Sequence, residues 1–178
     1  MVLIRLACLM LLASAIFLAS CDRFPDGYPP PEQRHPVEGY SPGPEAMMVE
    51  MSEPAADLHI VKDIYNPGSA PWRWSGQNPT VRTLAISNNL KFRADFAIWN
   101  DSFKITGPVE ITYLVNDRPL DKIRYTSPGE KHFEEPIPAG WILTDTEITL
   151  ALAVDKLYVA PGDGKKFGVI LVRMGLTK

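Results

Sequence analysis

The side chains in this sequence with the clearest capacity for molecular recognition are tryptophans set among polar groups. Pro71-Trp72-Arg73-Trp74-Ser75-Gly76 packs two indoles and a guanidinium into a segment that reads as a loop, and Trp99 is followed by Asn100 and Asp101. An exposed indole face suits the apolar C–H face of a sugar ring, while Asp, Asn and Arg can fix hydroxyls beside it. Trp72, Arg73, Trp74, Trp99 and Asp101 are therefore the candidate ligand contacts. The same indoles could instead plug the open ends of a sandwich, and Trp141, between Pro138 and Thr144, reads as such a plug.

Other chemistries find less support. The histidines, His35, His59 and His132, are far apart and form no His-x-x-x-His spacing, so no dedicated metal site is expected. A Ser-His-Asp group needs only to meet in space, but no Gly-x-Ser-x-Gly elbow points to one. Asp95, Asp101, Glu110 and Asp117 could supply a carboxylate pair for glycoside hydrolysis, though solvated strand and loop acids are the commoner outcome. Pro161-Gly-Asp-Gly-Lys-Lys166 superficially suggests a phosphate loop. Lys166 stands where that motif needs Ser or Thr, and a strand rather than a helix follows. The expectation is a non-enzymatic protein without cofactor or metal, with an envelope hydrolase as the distant alternative.

Composition narrows the class further. The 178 residues are 46% apolar and 22% charged, as a globular domain requires, and the formal charge is −3. No long basic run exists, so neither nucleic acid nor anionic lipid would be held by a polybasic patch. Cys8 and Cys21 are the only cysteines; everything after residue 21 must fold without disulfides or Cys-ligated metal.

Cys8 lies inside a leader and Cys21 at its end. Arg5 precedes an apolar run from Leu6 to Ser20, 15 residues long. A spanning helix needs about 20, so the run reads as the core of a signal peptide. Leu18-Ala19-Ser20-Cys21 resembles the bacterial lipobox, in which small residues admit a peptidase and the following thiol is acylated. That resemblance implies residues 1–20 as a cleaved leader and Cys21 as a lipid anchor on the extracytoplasmic side of a bacterial membrane. Asp22 resembles the inner-membrane retention signal of enteric lipoproteins. Residues 21–54 carry prolines at 25, 29, 30, 31, 36, 42, 44 and 54, and read as an extended spacer.

From Asp57 the hydrophobic period becomes two. Phe92, Ala94, Phe96 and Ile98 alternate with charged residues; Val109, Ile111, Tyr113 and Val115, and Ile148, Leu150, Leu152 and Val154, repeat the pattern. Residues 167–174 are apolar on both faces, as in a central strand. Further strands are expected at 58–65, 81–86, 120–125 and 131–134, with Asn116-Asp117-Arg118 as a hairpin turn and 161–164 as another turn. About eight strands over residues 55–178 predict an all-β antiparallel sandwich or jelly roll.

From Trp72 to Leu176 the chain resembles the galactose-binding-like β-sandwich domains, including carbohydrate-binding-module-like units. What carries the resemblance is the ordered series Trp72–Gly76, Phe92–Ile98, Gly107-Pro108-Val109 to Tyr125, Gly129-Glu130-Lys131-His132-Phe133 and Phe167-Gly168-Val169-Ile170-Leu171. These motifs are structural, and no ligand residue transfers position by position. Taken with the lipobox-like anchor, the resemblance implies a membrane-anchored module that binds a glycan or other envelope component through one loop end. The rival expectation is a protein-interaction or assembly module of an envelope complex, which would show an exposed apolar patch rather than a Trp-lined groove.

Overall fold

A computed structural model describes residues 47–178. The leader, Cys21, Asp22, His35 and most of the expected spacer lie outside the described residues. The folded unit holds eleven strands and one short helix: β1 Met48–Glu50, β2 Ile60–Tyr65, β3 Arg73–Ala85, β4 Lys91–Ile98, α1 Asn100–Thr106, β5 Val109–Val115, β6 Arg118–Tyr125, β7 Gly129–Pro136, β8 Thr146–Val154, β9 Tyr158–Val159, β10 Lys166–Phe167 and β11 Ile170–Thr177. Nine strands join one antiparallel sheet in the order β6-β5-β8-β3-β11-β4-β7, with β1 on β11 and β2 on β3; β9 and β10 form a separate ribbon.

The sheet folds back on itself to make the two layers of an antiparallel sandwich. In β4 and β5 buried residues alternate strictly with half-buried ones, so each strand has one inward face. Those faces meet: Tyr113 of β5 stacks on Phe133 of β7 at 3.5 Å and 7°, and meets Phe92 of β4 edge-on at 5.9 Å. Phe96 of β4 meets Tyr125 of β6 across the same interface at 5.5 Å. Burial keeps the Tyr113 phenol protonated far above the usual tyrosine range, and the hydroxyl shares a 2.5 Å hydrogen bond with Tyr125.

Strand β3 connects the layers. Its first residues pair with β11, Trp74 opposite Ile170 and Arg73 opposite Leu171. Its last six pair with β8, from Thr80–Ala151 to Ala85–Thr146. The change of partner falls at Gln77-Asn78-Pro79, where Pro79 has no N–H to give a ladder. At β5–β6 the chain reverses through Asn116 and Asp117, both in left-handed conformation (φ 48° and 61°) as a tight right-twisting hairpin requires.

Two features depart from the expected layout. The sandwich starts before residue 55: Met47, Val49 and Met51 are buried, and β1 pairs with β11 through Met48–Gly175, Val49–Met174 and Glu50–Arg173. The spacer expected through residue 54 therefore gives way to folded structure by residue 47. Gly175 permits this pairing, because a Cβ there would collide with the backbone of Met47 and Met48. Second, the segment expected as a loop around Trp72–Gly76 is largely strand, since β3 begins at Arg73. Trp141 is partly buried against the core, with the Arg118 guanidinium 4.2 Å above its ring.

Candidate functional site

Because Arg73 and Trp74 are consecutive residues of a strand, their side chains leave opposite faces. Arg73 goes inward and is 3% exposed. Its Nε donates to the Met51 carbonyl at 3.1 Å, one terminal nitrogen to the Glu53 carbonyl at 3.4 Å, and the other pairs with the Asp57 carboxylate. The guanidinium thus ties the segment after β1, including the 3-10 turn Pro54–Leu58, onto the start of β3. Arg73, expected among the ligand contacts, is withdrawn from any ligand by this burial.

Trp74 lies on the other face as the hub of an aromatic cluster. Trp72 meets it edge-on at 5.5 Å and 83°, and Trp99 at 5.8 Å and 74°. Phe167 of β10 lies at 5.0 Å, tilted by 38°. The cluster extends from Phe167 to Tyr65 at 6.4 Å and from Trp99 to Tyr158 at 5.3 Å. It is not sealed: Trp99 is 36% exposed and Tyr65 46%. Beside it opens a groove of about 440 Å³ lined by Tyr65, Asn66, Pro67, Trp74, Lys165, Lys166 and Phe167. That volume lies within the usual size of small-ligand sites.

The structure therefore brings Trp72, Trp74 and Trp99 together, while neither Arg73 nor Asp101 lines the groove. Asp101 is exposed on α1 and pairs with Lys104 at 2.8 Å. The groove's other residues had weaker signals in sequence. Tyr65 is the last residue of a short strand, and Phe167 reads in sequence as the first residue of the strand expected over 167–174. In fact that strand is interrupted at Gly168 and Val169, between β10 and β11. There Gly168 N–H donates to the Ser75 carbonyl and Val169 N–H to the Ser75 hydroxyl, both at 2.8 Å. A Cβ on Gly168 would stand 2.6 Å from that hydroxyl oxygen, so glycine lets β10 approach β3 and set Phe167 against Trp74.

A second recess, about 340 Å³, lies on the outer face of β4 and β7, lined by Asp95, Phe96, Glu130, Lys131, His132 and Val172. Asp95 accepts from His132 Nδ1 at 2.5 Å and from Arg93 at 2.9 and 3.2 Å; Arg173 Nε stands 3.2 Å away. Burial alone would raise the Asp95 pKa, but the hydrogen bonds from His132 and Arg93 outweigh it and hold the carboxyl below its ordinary range. The other imidazole nitrogen faces Glu134 at 4.0 Å rather than a hydroxyl, so the geometry is that of a surface ion-pair lattice and not of a nucleophile and its base. Glu110, another candidate acid, pairs with Lys122 at 2.6 Å, and Asp117 sits in the β5–β6 turn. Among the described residues no group of three or more His, Cys, Asp or Glu is placed to hold a metal ion.

No protein-family model matches the chain, and no curated protein matches it. Solved structures do. A family 35 carbohydrate binding module from an environmental isolate is 14% identical, with a TM-score of 0.44 over 74% of this chain and 92% of that one. Carbohydrate-binding module CBM36, in complex with calcium and xylotriose, is 12% identical, with a TM-score of 0.41 over 73% of this chain and 98% of that one. Dimeric latent PorU from Porphyromonas gingivalis is 13% identical, with a TM-score of 0.41 over 66% of this chain but 12% of that much longer one. A likeness of this size transfers no ligand to the present chain.

Proposed function

We propose that this protein is a non-enzymatic, lipid-anchored module that binds a glycan of the cell envelope in the groove beside Trp74. The observation that carries the reading is the groove itself. Three aromatic side chains, Tyr65, Trp74 and Phe167, line it together with the amide of Asn66 and two lysines. Apolar ring faces with a few polar groups at the margin are what a sugar's two-faced surface demands.

The ring angles refine the ligand. Most neighbouring rings of the cluster stand at 74–87° to each other, so they cannot form one flat platform. Only Trp74 and Phe167, at 38°, approach a shared face. A single glycan chain or a terminal sugar fits such a cleft; the flat face of a crystalline polysaccharide does not. The anchor belongs to the same proposal: Cys21, acylated after cleavage behind Ser20, would hold the module on the extracytoplasmic face of a bacterial membrane, and Asp22 favours the inner one.

The test is calorimetric titration of the detergent-solubilised full chain against a panel of soluble bacterial and plant oligosaccharides, with Trp74→Ala and Phe167→Ala beside it. Saturable binding that both folded variants lose supports the reading. Absence of binding to every glycan by well-folded protein refutes it. That outcome would favour the assembly-module reading, which has its own observation: Leu58 and Val61, 70% and 44% exposed, lie just before and on β2, a strand paired on one side only among the described residues. For the anchor, metabolic labelling with a radioactive fatty acid should mark the wild-type chain and not Cys21→Ser.

A further inference from the structure

Residues 158–167 are joined to the rest of the domain by their rings and not by their backbone. Among the described residues, every hydrogen bond and ion pair of this stretch stays inside it. These are the β9–β10 pairing, Ala160 N–H to the Lys165 carbonyl at 2.8 Å, Gly164 N–H to the Ala160 carbonyl at 3.2 Å, and Asp163 with Lys165. A lone two-stranded ribbon has little stability of its own. This one keeps its place because its register sends Tyr158 and Phe167 to the same face, where they rest on the cluster. Tyr158 meets Trp99 at 5.3 Å and Phe167 meets Trp74 at 5.0 Å. The opposite face carries Lys166 and Val159, the latter 52% exposed, and residues 161–166 are exposed throughout.

Both ends of the stretch are fixed. Before it, Asp155 N–H donates to the Glu110 carbonyl at 3.0 Å and the Asp155 carboxylate accepts the Glu110 N–H at 2.7 Å. Lys156 Nζ donates to the Thr106 and Pro108 carbonyls at 3.1 and 2.7 Å. After it, Gly168 and Val169 are tied to Ser75, which also donates its own N–H to the Val169 carbonyl at 2.8 Å. The ribbon thus stands between two anchored points, with an exposed turn at its tip and ring contacts as its seat. Phe167 is also a wall of the groove, so any movement of the ribbon opens or completes that wall.

We infer that the β9–β10 ribbon is a flap of the binding groove: it lifts off Trp74 and Trp99 to admit the glycan and settles back to complete the wall that Phe167 forms. The identity of the ligand rests on the glycan reading above; the motion does not. Flaps and lids of this kind open on the μs–ms timescale. A ligand that binds the closed form alone draws the population towards it.

The experiment is fluorine NMR of the detergent-solubilised full chain labelled with 5-fluorotryptophan. The 4 tryptophans are assigned by single Trp→Phe substitutions. Trp141, which lies under the Arg118 guanidinium and outside the cluster, is the internal control. Relaxation dispersion without any sugar should show exchange at Trp74 and Trp99 and none at Trp141. Tyr158→Ala removes the contact with Trp99 but no residue that lines the groove. It should raise the lifted population about fivefold, the scale of one edge-on ring pair. An oligosaccharide from the panel, at about 100 times its Kd, should lower that population about a hundredfold and flatten the profiles. Flat profiles at Trp74 and Trp99 without sugar, exchange shared equally by Trp141, or a population unmoved by Tyr158→Ala would overturn the flap and leave the stacking site standing. Exchange that a bound sugar leaves unchanged would overturn its part in binding. If no sugar binds, the glycan reading falls, while dispersion at Trp74 and Trp99 still decides whether the ribbon moves.

Discussion

Arg73 and Trp74 are neighbours in sequence, and substitutions at the two should fail in different ways. Arg73→Met keeps most of the aliphatic stem but deletes donors to the Met51 and Glu53 carbonyls and the partner of Asp57. Hydrogen bonds from charged groups are worth about 1.5–3 kcal/mol each when one side is deleted. The Asp57 share is discounted, because that side chain is 65% exposed and can return to water. A loss of about 3 kcal/mol follows, which for a domain of this size lowers Tm by roughly 10 °C. Trp74→Ala removes a half-buried ring, a cost of about 1–2 kcal/mol, below the value for a fully buried aromatic. Its main effect should be on binding. Loss of a central Trp contact costs about 2 kcal/mol, or roughly a 30-fold rise in Kd for whichever oligosaccharide the wild type binds. Differential scanning calorimetry measures the first effect, and isothermal titration at 20 °C, well below either Tm, measures the second. The assignment would be refuted by Arg73→Met with an unchanged Tm and weakened binding, or by a folded Trp74→Ala that binds as well as wild type.

Two further outcomes follow from the packing and charge. Gly175→Ala drives a methyl into the backbone of Met47 and Met48, which cannot swing aside like a side-chain tip; overpacking of this kind costs about 1–3 kcal/mol. Hydrogen exchange should then report loss of protection over residues 47–51 while β4 and β7 stay protected, and unchanged exchange at β1 would contradict the pairing. The lowered Asp95 pKa predicts a pH effect of defined sign. A depressed carboxylate contributes stability that is fully present above its unfolded value, near 3.8, and is lost as pH falls through the lower folded value. Urea midpoints measured from pH 5 downward should drop more steeply for wild type than for Asp95→Asn, and parallel curves would show that the lattice around Asp95 contributes nothing.

Strands β4 and β5 were legible in sequence to the residue, because each has one face in the core and a strict period of two. The same rule located β8 and the hairpin between β5 and β6. It failed where a strand changes its environment along its length. Residues 73–76 look like a loop because Pro71, Trp72 and Gly76 break the alternation and because both Arg73 and Ser75 are buried polar residues. Their burial is explained only by partners distant in sequence: Met51, Glu53 and Asp57 for Arg73, and Val169 for Ser75. Likewise β1 was hidden by its length of three residues and by the proline-rich stretch before it, though Val49 and Met51 carry the short-strand parity.

The candidate site was half legible for the same reason. Tryptophans at 72, 74 and 99 could be singled out by residue type, but which way each faced depended on whether residue 73 was strand or loop. Strand geometry separates Arg73 from Trp74; it sends the cation to hold the fold and the indole to the surface. The groove then needs Phe167, and Phe167 reaches Trp74 only because Gly168 lets the β9–β10 ribbon close against Ser75. Replacing the loop expectation by a strand therefore changes the chemistry of the site. Arg73, the cation that a loop would have offered to a ligand, is spent on the Met51 and Glu53 carbonyls and the Asp57 carboxylate, and the groove is left to the rings of Tyr65, Trp74 and Phe167.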